Sequence, residues 1–178
     1  MESDAAEPQC PVLFSEEQIV ARVAELAKEI AAAPVRPAVA MPILLGGFVF
    51  AADLVRALSR EGVPLEVEML WLRSYGDKRT PTAVSMIAGP SDDIAGRDVL
   101  VIDGVLDAGK TIKKAVQLIL AAGAASVQVA VMLDKQRGDR VAKADFVGFP
   151  VGMDFVIGYG MDDAGKHRNL PYIGKIIT

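Results

Sequence analysis

Apolar positions along this chain follow two rhythms. From Ser15 the stretch SEEQIVARVAELAKEIAAA places Ile19, Val20, Val23, Leu26, Ala27 and Ile30 at helical spacing. Ser15 with Gln18 forms a capping box, Glu16 and Glu17 suit the positive helix end, and Pro34 stops the helix. The rhythm returns in FVFAADLVRALSREG (48–62), closed by Gly62, and over 110–122, where Ile112, Ala115, Val116, Ile119 and Leu120 share a face. The other rhythm is continuous. AVAMPILL (38–45), RDVLVID (97–103) and VQVAVML (127–133) are apolar runs of the kind expected in strands covered on both faces. Residues 64–72, 83–89, 145–151 and 154–160 also predict strands. RSYGDKRTPT (73–82) reads as a polar loop, and residues 1–11 as a loose tail.

Alternating strands and helices predict one α/β domain over residues 1–178, its mostly parallel sheet flanked by helices on both faces. Ligands of such sheets bind at the carboxyl ends of the strands. Gly46–Gly47, the loop 104–109 and Asp134–Lys135 all follow predicted strands, so they converge on one edge.

Composition narrows the chemistry. The net charge of −4 argues against a nucleic-acid binder, which usually presents a basic domain. A small anion remains possible, because backbone N–H groups can hold phosphate. Cys10 is the only cysteine, which fits a reducing cytoplasm. The longest charge-free run, 37–52, is too short to cross a membrane and contains Pro and Gly. No membrane partner is expected.

GVLDAGKT (104–111) fits the P-loop pattern. In that reading Asp107 would face the phosphates of a nucleotide. At ~4 Å and an effective dielectric near 20, each like-charge contact costs about 4 kcal/mol. Asp134 could still supply a magnesium ligand, so a P-loop phosphotransferase stands as one alternative. The other assigns each group a different partner: a sugar phosphate on the backbone amides of 107–111, sugar hydroxyls and a metal at Asp103, and the reacting base at Asp107.

That second arrangement resembles the purine phosphoribosyltransferases, specifically the hypoxanthine(-guanine) phosphoribosyltransferases. Their signature is an apolar strand, two acids, two apolar residues, Asp-Thr-Gly and a Thr two places on. Here it stands as VLVI followed by Asp103, Gly104, Val105, Leu106, Asp107, Ala108, Gly109, Lys110 and Thr111. VLFSEEQIVARVAELAKEI (12–30) resembles the family's N-terminal helix, LLGGFVFAADLVRAL (44–58) its pyrophosphate loop and helix, and RSYGD (73–77) the start of its lid. MLDK (132–135), DFVGF (145–149), DFVIGYGMD (154–162) and RNLPYIG (168–174) resemble its purine pocket and C-terminal segment. The resemblance implies a type I phosphoribosyltransferase fold with a small hood built from both chain ends.

It also implies roles. Asp107 matches the general base that takes or shares the proton on purine N7 while the base attacks ribose C1. Asp103 matches an acid for ribose hydroxyls or Mg2+. Ala108, Gly109, Lys110 and Thr111 match the 5′-phosphate cradle, and Leu44, Leu45, Gly46 and Gly47 the pyrophosphate loop, whose first peptide can be cis. Lys135 matches the lysine on the purine 6-oxo group, Phe155 the aromatic stacked on the base and Val156 its backbone contact. Asp162 matches a residue serving the metal and the far edge of the base, and Arg168 the arginine on pyrophosphate. Ser74 and Tyr75 match the lid that excludes water. Bland roles exist beside these: Asp107 could cap a helix, the glycines could serve a plain strand-to-helix turn, and Phe155 could be a core residue. His167 is taken as a loop residue.

Two residues depart from the signature. Gly104 stands in place of the second acid, and Ala108 in place of the usual Thr. Many members also carry a basic residue where this chain has Leu45. The implied activity is transfer of ribose 5-phosphate from phosphoribosyl pyrophosphate to hypoxanthine or guanine, with Mg2+, in cytoplasmic purine salvage by a dimer or tetramer. The alternative from another class is a nucleotide-binding or regulatory homologue with weak or no turnover.

Overall fold

The computed structural model describes residues 10–77 and 80–177, with the backbone alone at 74–77 and 80–83. In chain order the elements are β1 (Val12–Phe14), α1 (Glu16–Ala31), β2 (Val39–Leu44), α2 (Phe48–Arg60), β3 (Glu66–Val67), β4 (Leu70–Asp77) and β5 (Thr80–Ala88). After a short 3-10 turn at Asp92–Ile94 come β6 (Asp98–Leu106), α3 (Lys110–Ala121), β7 (Ser126–Asp134), β8 (Phe146–Pro150), β9 (Val156–Ile157) and β10 (Ile173–Lys175).

β6 lies inside the main sheet, whose order is β5-β4-β2-β6-β7-β8, with β3 also on β2. The pairs β4–β2, β2–β6, β6–β7 and β7–β8 are parallel, and only β4–β5 is antiparallel. Successive residues of a strand face opposite sides, and here each side meets its own core. Ala40, Leu100, Ile102, Ala130 and Met132 pack with Ile19, Leu26, Ile30, Phe50, Leu54 and Leu58 of α1 and α2. Val39, Met41, Val99, Val101, Val129 and Val131 pack with Ile112, Ala115 and Ile119 of α3. The capping box expected at Ser15 and Gln18 is formed. Gly62, just past α2, adopts φ 74°, a left-handed conformation that only glycine reaches without strain.

The predicted strand 64–72 is interrupted, and Pro42 accounts for the break. Val39 and Ala40 pair with Glu66 and Val67, whereas Ile43 and Leu44 pair with Leu70 and Trp71. The gap falls opposite Met41 and Pro42, and proline has no N–H to offer a neighbouring strand. Of residues 73–82, read as a loop, 73–77 and 80–82 instead belong to the paired strands β4 and β5. Along the described start of β4, Leu70 and Leu72 are buried while Trp71 and Arg73 are exposed, and Met86 and Ile87 of β5 are exposed too.

The predicted strand 154–160 shrinks to Val156–Ile157. Gly158, Tyr159 and Gly160 all have positive φ (89°, 50° and 96°), which ends the extended run. β9 pairs antiparallel with β10, and β10 with β1. Both chain ends therefore build one three-stranded sheet, the hood, from strands too short to leave a clear sequence pattern.

Arg22 of α1 ties this layer to the sheet edge. Its Nε donates to Gly148 O at 2.8 Å and its Nη2 to Val147 O at 2.9 Å. Arg22→Met keeps the apolar stem and removes both bonds. We expect a loss of about 1–2 kcal/mol in denaturant-unfolding stability, with the helix content unchanged by circular dichroism.

Candidate active site

Strand β6 runs further than its apolar pattern implied. Asp103, Val105 and Leu106 remain in register with Val131, Leu133 and Asp134 of β7. Gly104 thus lies inside a strand, and only Asp107, Ala108 and Gly109 connect β6 to α3. A P-loop needs its first glycine at the mouth of a long loop, so the phosphotransferase alternative fails on this geometry.

Gly109 caps α3 with φ 80° and contributes no side chain. The first helical bond runs from Lys113 N to Gly109 O at 2.9 Å. Amides of a first helical turn lack intrahelical acceptors and point out of the helix. α3 carries no acid in that turn, and Lys110, Lys113 and Lys114 crowd it. Cations are unfavourable at the positive end of a helix dipole, and an anion there would be favoured. Ala108 and Thr111 flank it, each partly exposed.

The loop after β7 rests on this turn. Lys135 N donates to Leu106 O at 3.0 Å, and Val141 N to Ala108 O at 2.9 Å. A Cβ at Gly109 would stand 2.9 Å from Ala142 N, so glycine is needed for the close approach as well as for its φ. Asp107 and Lys135, far apart in sequence, meet here. Lys135 Nζ lies 3.1 Å from Asp107 Oδ2, and Arg137 Nη1 lies 3.0 Å from Asp107 Oδ1. The lysine side chain is 11% exposed and the aspartate 42%. Asp139 takes the rest of the Arg137 fork, with Nε to Oδ1 and Nη2 to Oδ2, both at 2.8 Å. The guanidinium is held charged by these two carboxylates, Asp139 first.

Asp103 lies within β6, four residues before Asp107 and beside the loop that follows β2. A Cβ at Gly46 would lie 3.6 Å from Asp103 Oδ1, and Asp103 Oδ1 accepts from Gly104 N at 2.7 Å. The residue retains some solvent contact, but protein closes around the carboxyl. That burial raises its pKa from the ordinary carboxylate range to about 7, against a smaller lowering by the Gly104 N–H. The Leu44–Leu45 peptide is cis. Leu45 is exposed, and Gly47 is buried at the N-terminus of α2. A Cβ at Gly47 would meet Ile102 O at 2.5 Å, and one at Gly160 would meet Gly46 O at 2.8 Å.

Gly104 belongs to the same contact. A Cβ there would lie 2.7 Å from Gly46 O and 3.2 Å from Met161 Cγ. The loop 44–47 and Met161 occupy the space that an acid at this position would need.

The remaining candidates lie on the hood side. Val156 is buried in β9, and Phe155 just before it is 40% exposed. Arg168 Nη2 pairs with Asp162 Oδ1 at 2.7 Å, and its Nη1 donates to Gly160 O at 2.6 Å. Asp162 Oδ2 accepts from Gly165 N at 2.6 Å. His167 is a loop residue with φ 71°. Ser74 and Tyr75 are in β4, and their side chains lie outside the described residues. Sequence reasoning passed over Arg137, Asp139 and Met161. The charged run QRGDR directly after Lys135 was the available signal for the first two.

Among the described residues, no group of three or more Asp, Glu, His or Cys is arranged to hold a metal ion, and no helix is long and apolar enough to cross a membrane.

Comparison with known families matches residues 13–164 to the phosphoribosyl transferase domain. The chain is 37% identical over 169 residues to the hypoxanthine-guanine phosphoribosyltransferase of Bacillus subtilis, covering 93% of this chain and 92% of that protein. It is 39% identical over 166 residues to the bifunctional protein TilS/HprT of Listeria innocua, spanning 92% of this chain but 25% of that longer protein. Among solved structures, the hypoxanthine phosphoribosyltransferase of Trypanosoma cruzi in complex with the product IMP superposes with a TM-score of 0.85 at 33% identity, covering 98% of this chain and 97% of that one.

Two outcomes follow from the geometry. Gly104→Asp should lower unfolding stability by about 1–3 kcal/mol, as overpacking against backbone does; equilibrium denaturation measures it. Asp103 has a folded pKa raised to about 7, so the folded state holds the proton more tightly than the unfolded one. Its contribution is then favourable at low pH and is lost as pH rises from about 4 through 7. Metal-free Asp103→Asn should therefore be more stable than the parent at pH 8, on the order of 2–4 kcal/mol, with the difference vanishing near pH 4.

Proposed function

The chain belongs to the phosphoribosyltransferase family, and we propose that it transfers the 5-phosphoribosyl group from phosphoribosyl pyrophosphate to hypoxanthine or guanine, releasing pyrophosphate with IMP or GMP. The observation that carries this reading is the Asp107–Lys135 pair at 3.1 Å, set beside an anion-ready helix end. An acceptor and a donor so close suit the two adjacent groups of a 6-oxopurine: a ring N–H and an exocyclic oxygen. Adenine presents an amino donor where Lys135 also donates, which disfavours it.

In this reading the amides at the start of α3 bind the 5′-phosphate. The bond from ribose C1 to pyrophosphate oxygen breaks as a bond from C1 to purine nitrogen forms. Asp107 receives the ring proton, and Lys135 hydrogen-bonds the 6-oxo group. Positive charge develops on the sugar, and the carboxylate of Asp103 lies on the strand that faces it. Phe155, exposed at the hood, stacks on the base, with Val156 beside it. Arg168 and the loop 44–47 receive pyrophosphate.

Mg2+ fits part of this donor set. It favours oxygen ligands and commonly takes one or two carboxylates, with substrate phosphates and water completing its shell. Asp103 offers such oxygens. Asp162 already gives both of its oxygens to Arg168 and the Gly165 amide, so metal contact there requires it to part from Arg168. The ion, when bound, neutralises pyrophosphate charge. The setting is cytoplasmic purine salvage, by a homodimer or homotetramer as in the family.

Gly104 favours a second reading, a nucleotide-binding homologue with little turnover, because it removes a carboxylate from the ribose side of the site. Steady-state assays with hypoxanthine, guanine, xanthine and adenine separate the two. We expect nucleotide formation with hypoxanthine and guanine and little with adenine. Asp107→Asn should lower kcat by about 10²–10⁴-fold, the range of general acid–base catalysis. IMP binding by calorimetry without turnover on any base would select the second reading.

A further inference from the structure

We propose that Arg137 is a positioning residue for Asp107: it fixes one carboxylate oxygen and thereby presents the other to the purine. The inference rests on the roles assigned above to Asp107 and Lys135. In the free site Asp107 is held from both sides, with Oδ1 against Arg137 and Oδ2 against Lys135. Purine entry draws Lys135 to the 6-oxo oxygen and leaves Oδ2 for the ring proton. Arg137 then remains as the contact that keeps the carboxylate from rotating. An aspartate 42% exposed otherwise turns easily about its broad terminal torsion.

Arg137 is itself held for this task. Two of its nitrogens grip Asp139 in parallel at 2.8 Å, which fixes the plane of the guanidinium and aims Nη1 at Asp107. Gln136, with φ 51°, turns the chain so that Arg137 comes back over the site. Asp134 secures that turn by accepting from Gln136 N at 2.8 Å and from Arg140 Nη1 at 2.7 Å. Val141 N on Ala108 O fastens the far end of the loop to the residue after Asp107. Lys135 and Arg137 thus both face Asp107, with Asp139 behind the second. A planar fork bridges two carboxylates at once, which a lysine ammonium cannot reproduce.

The test compares Arg137→Gln, Arg137→Lys, Asp139→Asn and the parent in steady-state assays with hypoxanthine and phosphoribosyl pyrophosphate, alongside melting temperatures. Arg137→Gln should lower kcat about tenfold, the loss expected from one hydrogen bond to a charged group. The KM for phosphoribosyl pyrophosphate and the melting temperature should stay near the parent values. Arg137→Lys should recover part of the loss. Asp139→Asn should move kcat in the same direction by about two- to fivefold, and the double variant Arg137→Gln/Asp139→Asn should be no worse than Arg137→Gln alone. Parental kcat in Arg137→Gln, or a loss confined to the KM for phosphoribosyl pyrophosphate, would overturn the proposal. If Arg137→Gln does not fold, parental kcat in Asp139→Asn overturns it instead. A parent chain that forms no nucleotide overturns the underlying reading and this inference with it, whereas an active parent with unaffected variants overturns this inference alone.

Discussion

Strand β6 is buried on both faces and paired on both edges, and every other part of the molecule is placed by reference to it. Val99 and Val101 face one core while Leu100 and Ile102 face the other. Parallel partners, β2 and β7, lie on either side. A strand in that position cannot slip by one residue without exchanging its two faces. Because β2, β6 and β7 are parallel, their carboxyl ends lie at one edge, and the loops that follow them deliver the loop 44–47, Asp107 and Lys135 to a common place. The site is a consequence of direction and register before it is a consequence of side-chain chemistry.

Backbone contact then sets how closely these loops approach. Gly47, Gly104, Gly109 and Gly160 each stand where a Cβ would come within 3.0 Å of a neighbouring backbone atom. Loop 44–47 lies against β6 through Gly47 and Gly104 and against the turn after β9 through Gly160, and the loop after β7 lies against Gly109. Two backbone hydrogen bonds, Lys135 N to Leu106 O and Val141 N to Ala108 O, tie the loop after β7 to the turn between β6 and α3. A displacement of either is transmitted to the other through main chain.

Much of this was legible in the sequence because it depended on local rules. The α1 capping box, the doubly covered strands and the β6–α3 turn each follow from short patterns, and the signature around Asp107 carried the family resemblance. What escaped depended on distant partners. The gap between β3 and β4 is caused by Pro42 on another strand. β1 and β10 pair across the length of the chain and hold three residues each. Arg137 looked like an ordinary loop cation, since nothing in QRGDR says that its guanidinium reaches Asp107. The stretch 73–82 was read as a loop from its Gly, Pro and charges, and the pairing of 73–77 with 80–85 that makes it a hairpin is not written in that composition.

Gly104 changes how this chain is to be read against its relatives. Set against the signature alone, the residue reads as an acid that one substitution would restore. The space around it says otherwise, since Gly46 O and Met161 already fill the volume that an acid's first carbon needs. A side chain at 104 requires the loop to move and Met161 to yield in the same molecule. Gly104 and the loop that leans on it form one packing unit, so a carboxylate cannot be placed there without disturbing the backbone of 44–47.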